Sequence, residues 1–119
     1  MPRDLRFPKS RKLRRAVEFE RVRKEGRVTR GEFLSLGVAL RATSEKMRAG
    51  FITSRKVGVA VVRNRVRRRL REIVRRYQHE IVDGAWIVTI ASPRAARASY
   101  AALTDEWLRL AKRASILAP

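Results

Sequence analysis

RNRVRRRLREIVRRY, residues 63–77, places eight arginines within fourteen consecutive positions. Apolar side chains recur there at intervals of three and four residues, which predicts an amphipathic helix over residues 59–79. The predicted apolar stripe consists of Val62, Val66, Leu70, Ile73 and Tyr77. The opposite face carries Asn64, Arg68, Arg71 and Arg75, with Arg65 and Arg76 beside it. Because Glu72 is the only carboxylate among these arginines, the face repels itself unless a polyanion such as nucleic acid neutralises it.

The charge of the whole chain also indicates a polyanionic partner. Thirty lysines and arginines stand against 11 aspartates and glutamates, which gives a net charge of +19. The basic residues extend from Arg3 to Arg113, so the domain itself is cationic and not only a tail. Arginine accounts for 24 of them, and its planar guanidinium suits phosphate. A GC-rich coding bias is an alternative explanation for the choice of arginine over lysine, but it leaves the net charge unexplained.

Length and composition limit the possible classes of protein. A chain of 119 residues with 45% hydrophobic residues forms one domain with a single modest core. It has no cysteine, which excludes disulfides and thiolate metal sites. No apolar run approaches the ~20 residues that cross a bilayer, and Met1–Arg6 lacks the apolar region of a signal peptide. We therefore expect a cytoplasmic protein without a membrane partner.

The N-terminal half predicts a helix followed by strands. Residues 13–25 have helical spacing, and Gly26 ends the helix. Alternating apolar residues predict strands at 33–41 and 47–54, antiparallel to each other, and a weaker signal lies at 27–30. Residues 1–12, which contain two prolines, predict a flexible basic arm.

The C-terminal half predicts a strand and a helix after the basic helix. Residues 85–91 are apolar on both faces, which is typical of a central strand. Ser99 begins a last helix, whose stripe is Tyr100, Leu103, Trp107 and Leu110. The order of elements predicts the α+β class, with helices packed on one small sheet in a single domain over residues 13–116.

Two apolar surfaces leave alternatives open. Phe19 lies on a different side of its helix from Leu13, so it is either a core residue or a partly exposed platform for base stacking. The strand at 33–41 predicts a core face of Leu34, Leu36, Val38 and Leu40. Its other face has small side chains and one aromatic, Phe33, as an open sheet face beside a ligand could have.

The residues that could carry chemistry are scattered. His79, the only histidine, stands at the end of the basic helix, where the helix dipole favours it. Asp105 and Glu106 are adjacent and are expected to offset nearby arginines. The sequence contains no acid cluster of the two-metal type and no glycine-rich phosphate loop. Taken alone, the chain is predicted to be a binding module without catalytic or metal-binding residues.

A longer segment, SRKVGVAVVRNRVRRRLRE at residues 54–72, resembles the signature of the bacterial ribonuclease P protein subunit. That family carries Ser-basic-Lys-x-Gly-x-Ala-Val-x-Arg-Asn-Arg-x-basic-Arg, and each of these positions matches here. The resemblance extends over about residues 5–115. It includes a first helix with a phenylalanine at position 19 and a closing glycine, and a last strand and helix in the same places.

The resemblance implies an α-β-β-β-α-β-α two-layer sandwich, similar to the second domain of ribosomal protein S5, with a left-handed βαβ crossover. It also implies that the chain is the protein subunit of an endoribonuclease that removes the 5′ leader of precursor tRNA. The catalytic RNA, with Mg²⁺ bound mainly to it, would carry the chemistry. The implied partners are that RNA and the precursor tRNA, with no protein partner and a monomeric state for the protein alone.

Two sets of site residues follow from the same resemblance. The set expected to contact the catalytic RNA is Arg63, Asn64, Arg65, Arg67, Arg68, Arg71 and Arg75. The set expected to line a cleft for the leader is Phe19, Arg23, Phe33, Arg55 and Lys56. The family often has a second aromatic where this chain has Arg23, so leader recognition here would depend more on charge and less on stacking.

Other functional classes remain as alternatives. A structural protein that binds ribosomal RNA would have the same small size and high charge. A DNA-binding nucleoid protein is a further possibility, although no helix-turn-helix is recognisable. A free-standing protein nuclease comes last, because the sequence offers no metal site.

Overall fold

The computed structural model describes residues 11–118, which form three helices and one four-stranded sheet. The order confirms the predicted α-β-β-β-α-β-α arrangement, and short 3₁₀ turns follow β3, α2 and β4. The elements are α1 (Ala16–Glu25), β1 (Arg27–Arg30), β2 (Leu34–Leu40), β3 (Arg48–Thr53), α2 (Ala60–Tyr77), β4 (Ala85–Ala91) and α3 (Tyr100–Arg113).

The sheet has the strand order β1-β2-β4-β3. β4 lies between β2, to which it is antiparallel, and β3, to which it is parallel. The prediction of β4 as a central strand is therefore confirmed. β2 and β3 run in opposite directions, as expected, but they do not pair, because β4 lies between them. α2 makes the crossover from β3 to β4, and this places the arginine-rich helix against the sheet.

The main core lies between one face of the sheet and the helices α2 and α3. Val66, Leu70 and Ile73 of α2 are fully buried there, which confirms most of the predicted stripe. Trp107 of α3 is also fully buried, and its indole N–H donates to Thr89 Oγ1 at 3.2 Å. The indole therefore has its hydrogen-bond partner inside the protein, and its predicted role in the core is confirmed.

A smaller core lies on the other face of the sheet, under α1. It consists of Leu13, Val22, Ala39, Trp86 and Val88, with Phe19 and Ile90 packed against it. α1 ends at Gly26, whose N–H donates to Val22 O at 2.9 Å. The glycine is in extended conformation, so it ends the helix by turning the chain directly into β1.

Two packing predictions differ from the structure. Leu40 was expected in the core, but it is 63% exposed because it is the last residue of β2, at the end of the sheet. Val74 lies outside the predicted stripe but is fully buried, since α3 also packs against α2 and widens the buried face. The predicted cap of α3 is confirmed, because Ser99 Oγ accepts from Ala102 N at 3.0 Å.

The predicted arm over residues 1–12 lies mostly outside the described residues. Of its described part, Lys12 forms a bridge with Ala49, and Arg11 Nη1 donates to Gln78 Oε1 at 2.8 Å. These two residues therefore lie against the domain. Between residues 11 and 118, no helix has both the length and the apolar character that crossing a membrane requires.

Candidate nucleic-acid interface

A cleft of about 490 Å³ lies between α1 and the part of the sheet that α1 leaves uncovered. We call it the α1 cleft. Its floor is apolar, and its rim carries Arg14, Glu20 and Arg23. The floor and the α1 wall are formed by Phe19, Val22, Val28, Gly37, Ile52 and Ile90. Cations around an apolar floor suit single-stranded nucleic acid, because the cations can bind phosphates while the floor contacts bases.

Phe19 is partly buried, at the boundary between the smaller core and the α1 cleft. Its ring packs against the smaller core and also lines the α1 cleft. The ring can lie there because Gly50 has no side chain. A Cβ at position 50 would be 2.6 Å from Phe19 Cζ and 3.0 Å from Leu13 Cβ. Gly50 therefore determines where the ring sits at the edge of the cleft.

Replacing Gly50 with alanine is expected to displace the Phe19 ring and to lower the free energy of unfolding by about 1–3 kcal/mol, as overpacking does. Urea denaturation measures this change. Gly37→Ala is the matched control, since its added methyl group would lie no closer than 3.4 Å to Val22 Cγ1, which is ordinary contact. Equal unfolding free energies for the two variants would contradict the proposed contact.

The arginines of α2 divide into two groups. Asn64, Arg68 and Arg71 are exposed, as the helical geometry predicted, and so is Arg76 beside them. Arg75, which was predicted on the same outward face, is half-buried. Arg65, Arg67 and Arg69 are half-buried and donate to Ala96 O (3.2 Å), Thr53 Oγ1 (2.7 Å) and Ala98 O (3.2 Å). The half-buried group thus ties α2 to β3 and to the segment after β4.

Two more arginines of the predicted set have protein surroundings. Arg75 Nε donates to Glu72 Oε2 at 3.0 Å, and this hydrogen bond is the main reason why the pKa of Glu72 is lowered. Arg63 is half-buried. The Nε atoms of Arg63 and Arg65 are buried without a hydrogen-bond partner among the described residues. The outward cationic surface of α2 therefore centres on Asn64, Arg68 and Arg71.

The five residues predicted for the leader cleft do not all meet. Phe19 and Arg23 line the α1 cleft, and Arg23 Nη2 also donates to Glu20 Oε1 at 2.7 Å. Phe33 packs against the main core on the other side of the sheet. It precedes β2, so the strand alternation that predicted its direction does not apply to it. Arg55 and Lys56 are exposed in the 3₁₀ turn after β3.

A groove at the outer edge of β3 connects the α1 cleft with α2. We call this recess of about 250 Å³ the β3 groove; Lys12, Arg14, Phe19, Arg67 and Arg71 line it. The sequence-based site did not include Lys12 and Arg14. The basic run at residues 11–15, directly before α1, was the available signal for them.

Metal-ligating groups are not assembled in the described part of the chain. Residues 11–118 contain no group of three His, Asp or Glu side chains placed to hold a metal ion. The carboxylates beside the basic surface are instead paired with arginines. The pKa of Glu20 is lowered mainly by its hydrogen bond from Arg23, with further attraction from Lys24.

The fold and this surface define the molecule as a small cationic α+β protein with a cleft and an arginine helix suited to a polyanion. A family model described as Ribonuclease P matches residues 7–115, and the chain belongs to that family.

Individual relatives and solved structures agree with this assignment. The ribonuclease P protein component of Thermus scotoductus is 44% identical over 99 residues, covering 83% of this chain but only 57% of the relative. The ribonuclease P protein component of Chloroflexus aurantiacus is 42% identical over 107 residues, covering 89% of this chain and 78% of the relative. The RNase P protein of Thermotoga maritima superposes with a TM-score of 0.76 at 29% identity, covering 86% of this chain and 96% of that one. The Staphylococcus aureus RNase P protein has a TM-score of 0.84 at 22% identity, covering 92% and 99%, and it supports the fold alone.

Proposed function

We propose that this chain is the protein subunit of ribonuclease P, which removes the 5′ leader from precursor tRNA. The family match over residues 7–115 carries the proposal. In it, the catalytic RNA and its Mg²⁺ perform the hydrolysis, and the protein contributes binding. The cationic surface of the chain, which has a net charge of +19, fits that division of labour.

The catalytic RNA would bind the outward surface of α2. Asn64, Arg68 and Arg71 are exposed there and can donate to phosphate oxygens. Arg65, Arg67 and Arg69 already bond to the protein, so their main contribution is to fix the orientation of the helix. Binding by this surface would depend strongly on salt, because each phosphate contact releases counterions.

The leader would bind in the α1 cleft. A base can stack on Phe19 while Arg14 and Arg23 attract the phosphates on either side of it. Mature tRNA has no leader and gains nothing from the cleft, so the product leaves more readily than the substrate. The cations also reduce repulsion between two RNAs, which lowers the Mg²⁺ concentration needed for their association.

The test is cleavage of a precursor tRNA by bacterial ribonuclease P RNA at low Mg²⁺, with and without the protein. We expect strong stimulation that disappears when the leader is shortened to a single nucleotide. If the protein gives no stimulation but binds structured RNA tightly, the proposal fails and a structural role on ribosomal RNA becomes the better explanation.

Phe19→Leu is expected to weaken binding of the precursor about tenfold and to leave binding of mature tRNA unchanged. Leucine keeps much of the apolar volume but loses the flat surface on which a base stacks, a contact worth about 1–3 kcal/mol. Equilibrium binding to the holoenzyme measures both affinities. Leu40→Ala is the control, because Leu40 is an exposed apolar residue that lines neither the α1 cleft nor the β3 groove. An equal loss with both RNAs would rule out a leader-specific role for Phe19.

A further inference from the structure

A second cationic recess lies on the other side of α1. We call it the Trp86 pocket; it has a volume of about 470 Å³. Among the described residues, Glu18 is the only carboxylate that lines it, whereas five lining residues are cationic. These are Lys12, Arg14, Arg15, Arg21 and Arg48. Apart from Lys12 and Arg14, which also line the β3 groove, the cations belong neither to the outward surface of α2 nor to the α1 cleft.

Trp86 explains how several guanidinium groups can gather there. The carbon centres of Arg21, Arg41 and Arg48 lie 5.6, 4.7 and 5.6 Å from the centre of its ring. The aromatic face attracts cations and partly offsets their mutual repulsion. A guanidinium stacked on a ring keeps its in-plane N–H donors available. Trp86 itself is only 6% exposed, so a ligand would meet the arginines and not the indole.

Glu18 cannot neutralise this cluster, because its carboxylate is already engaged. Glu18 Oε1 accepts from the backbone N–H groups of Arg15 and Arg14, both at 3.0 Å, and Oε2 lies 3.5 Å from Arg48. The two backbone hydrogen bonds, with attraction from Arg48, lower the pKa of Glu18 and keep it ionised. Glu25 also lies 3.9 Å from Arg21. These two carboxylates still leave an excess of positive charge among the five lining cations, which favours an anionic ligand.

Arg14 connects this pocket to the proposed RNA sites. It lines the Trp86 pocket, the α1 cleft and the β3 groove. An RNA strand that leaves the α1 cleft past Arg14 can therefore enter the Trp86 pocket. The sheet also gives the direction. Thr53 and Ala91 pair at the end of the sheet where the chain leaves β3 for the start of α2, whereas Trp86 pairs with Arg48 at the opposite end.

We propose that the Trp86 pocket binds phosphates of the leader upstream of the nucleotides held in the α1 cleft. This inference rests on the proposed function. In this arrangement the cleavage site lies near the catalytic RNA, at the end of the sheet where α2 begins. Arg67, which lies between Asn64 and Arg68, donates to Thr53 at that end. The upstream part of a longer leader then reaches the Trp86 end, where arginines meet its backbone without reading its bases. The pocket would make affinity depend on leader length and not on upstream sequence.

The test combines a double variant with a series of precursors whose leaders lengthen one nucleotide at a time. Arg15→Gln with Arg21→Gln removes two charges from the pocket while keeping part of each side-chain stem. We expect no effect with short leaders and roughly tenfold weaker binding above a threshold length. The log–log salt dependence should become shallower by about 1.4, or ~0.7 for each phosphate. Phe19→Leu should weaken binding of the precursor already at leader lengths below that threshold.

The matched control is Arg109→Gln with Arg113→Gln, which removes the same charge from α3, in a different recess. This control variant should change the affinity for precursors with long and with short leaders by the same factor. A loss in the pocket variant that is independent of leader length, or that equals the loss in the control, overturns the proposal. So does weaker binding of the catalytic RNA alone. If the wild-type protein shows no leader dependence at all, the proposed function itself fails, and the two outcomes are thereby distinguished.

Discussion

Replacing Glu106 with alanine is expected to lower the free energy of unfolding by about 3–5 kcal/mol, a large share of the stability of a small domain. Glu106 is on α3 and is only 4% exposed. Its Oε1 accepts from the N–H of Glu32 at 2.8 Å, and Oε2 accepts from Phe33 and Leu34, both at 2.7 Å. Hydrogen bonds to a charged group contribute about 1.5–3 kcal/mol each, and alanine would leave these amides without a partner.

Urea denaturation followed by circular dichroism measures the change. Glu106→Gln should be intermediate, because one amide oxygen still accepts while the NH₂ group faces backbone donors. Asp105→Ala is the control, since Asp105 is the neighbouring carboxylate but is exposed. A loss below about 1 kcal/mol for Glu106→Ala would show that the carboxylate does not hold the turn between β1 and β2.

The hydrogen-bond partners of Glu106 could not be predicted from the sequence. Asp105 and Glu106 were expected to offset nearby arginines, and Glu106 does lie 4.0 Å from Arg109. Its main partners, however, are backbone amides more than seventy positions away. Backbone N–H groups occur at almost every residue, so the sequence contains no mark of which of them a carboxylate will meet. Only the packing of α3 against the turn brings them together.

Local patterns predicted the helices and strands well, because such patterns do not depend on distant segments. The alternation of β2, the apolar run of β4 and the helical spacing of α2 each describe one segment against one surface. Their bounds in the structure lie within three residues of the predicted ones. The apolar run predicted that β4 is a central strand, but not that its neighbours are β2 and β3, because that pairing joins distant segments. The contact between Gly50 and Phe19 is equally non-local.

The sequence predicted which side chains of α2 face outward better than it predicted their hydrogen bonds. The period of α2 correctly placed Asn64, Arg68 and Arg71 outward. It could not show that Arg65 and Arg69 bond to carbonyl groups of the segment after β4, because that segment has no regular pattern. The cluster around Trp86 draws its arginines from α1, from the segment after β2 and from β3, which only the fold brings together.

Arg68→Ala combined with Arg71→Ala is expected to weaken binding of the catalytic RNA roughly thirtyfold at physiological salt. The two exposed guanidinium groups would each neutralise one phosphate, and with the B-DNA value each contact contributes ~0.9 to the log–log slope. The salt dependence should therefore become shallower by about 1.8, whereas the free energy of unfolding should hardly change. Binding of the isolated catalytic RNA, titrated over a range of salt concentrations, measures both quantities.

Arg69→Ala is the informative comparison, because it removes one arginine from the same helix but from its half-buried group. Its guanidinium donates to Ala98 O at 3.2 Å, so its loss should lower the free energy of unfolding by about 1–2 kcal/mol. The salt slope should stay close to that of the wild-type protein. If Arg69→Ala instead flattens the slope as much as either exposed substitution, the two groups are not functionally distinct. The half-buried arginines of α2 would then have to be accessible to RNA, and the bonds from Arg65 and Arg69 to the segment after β4 would have to break on binding.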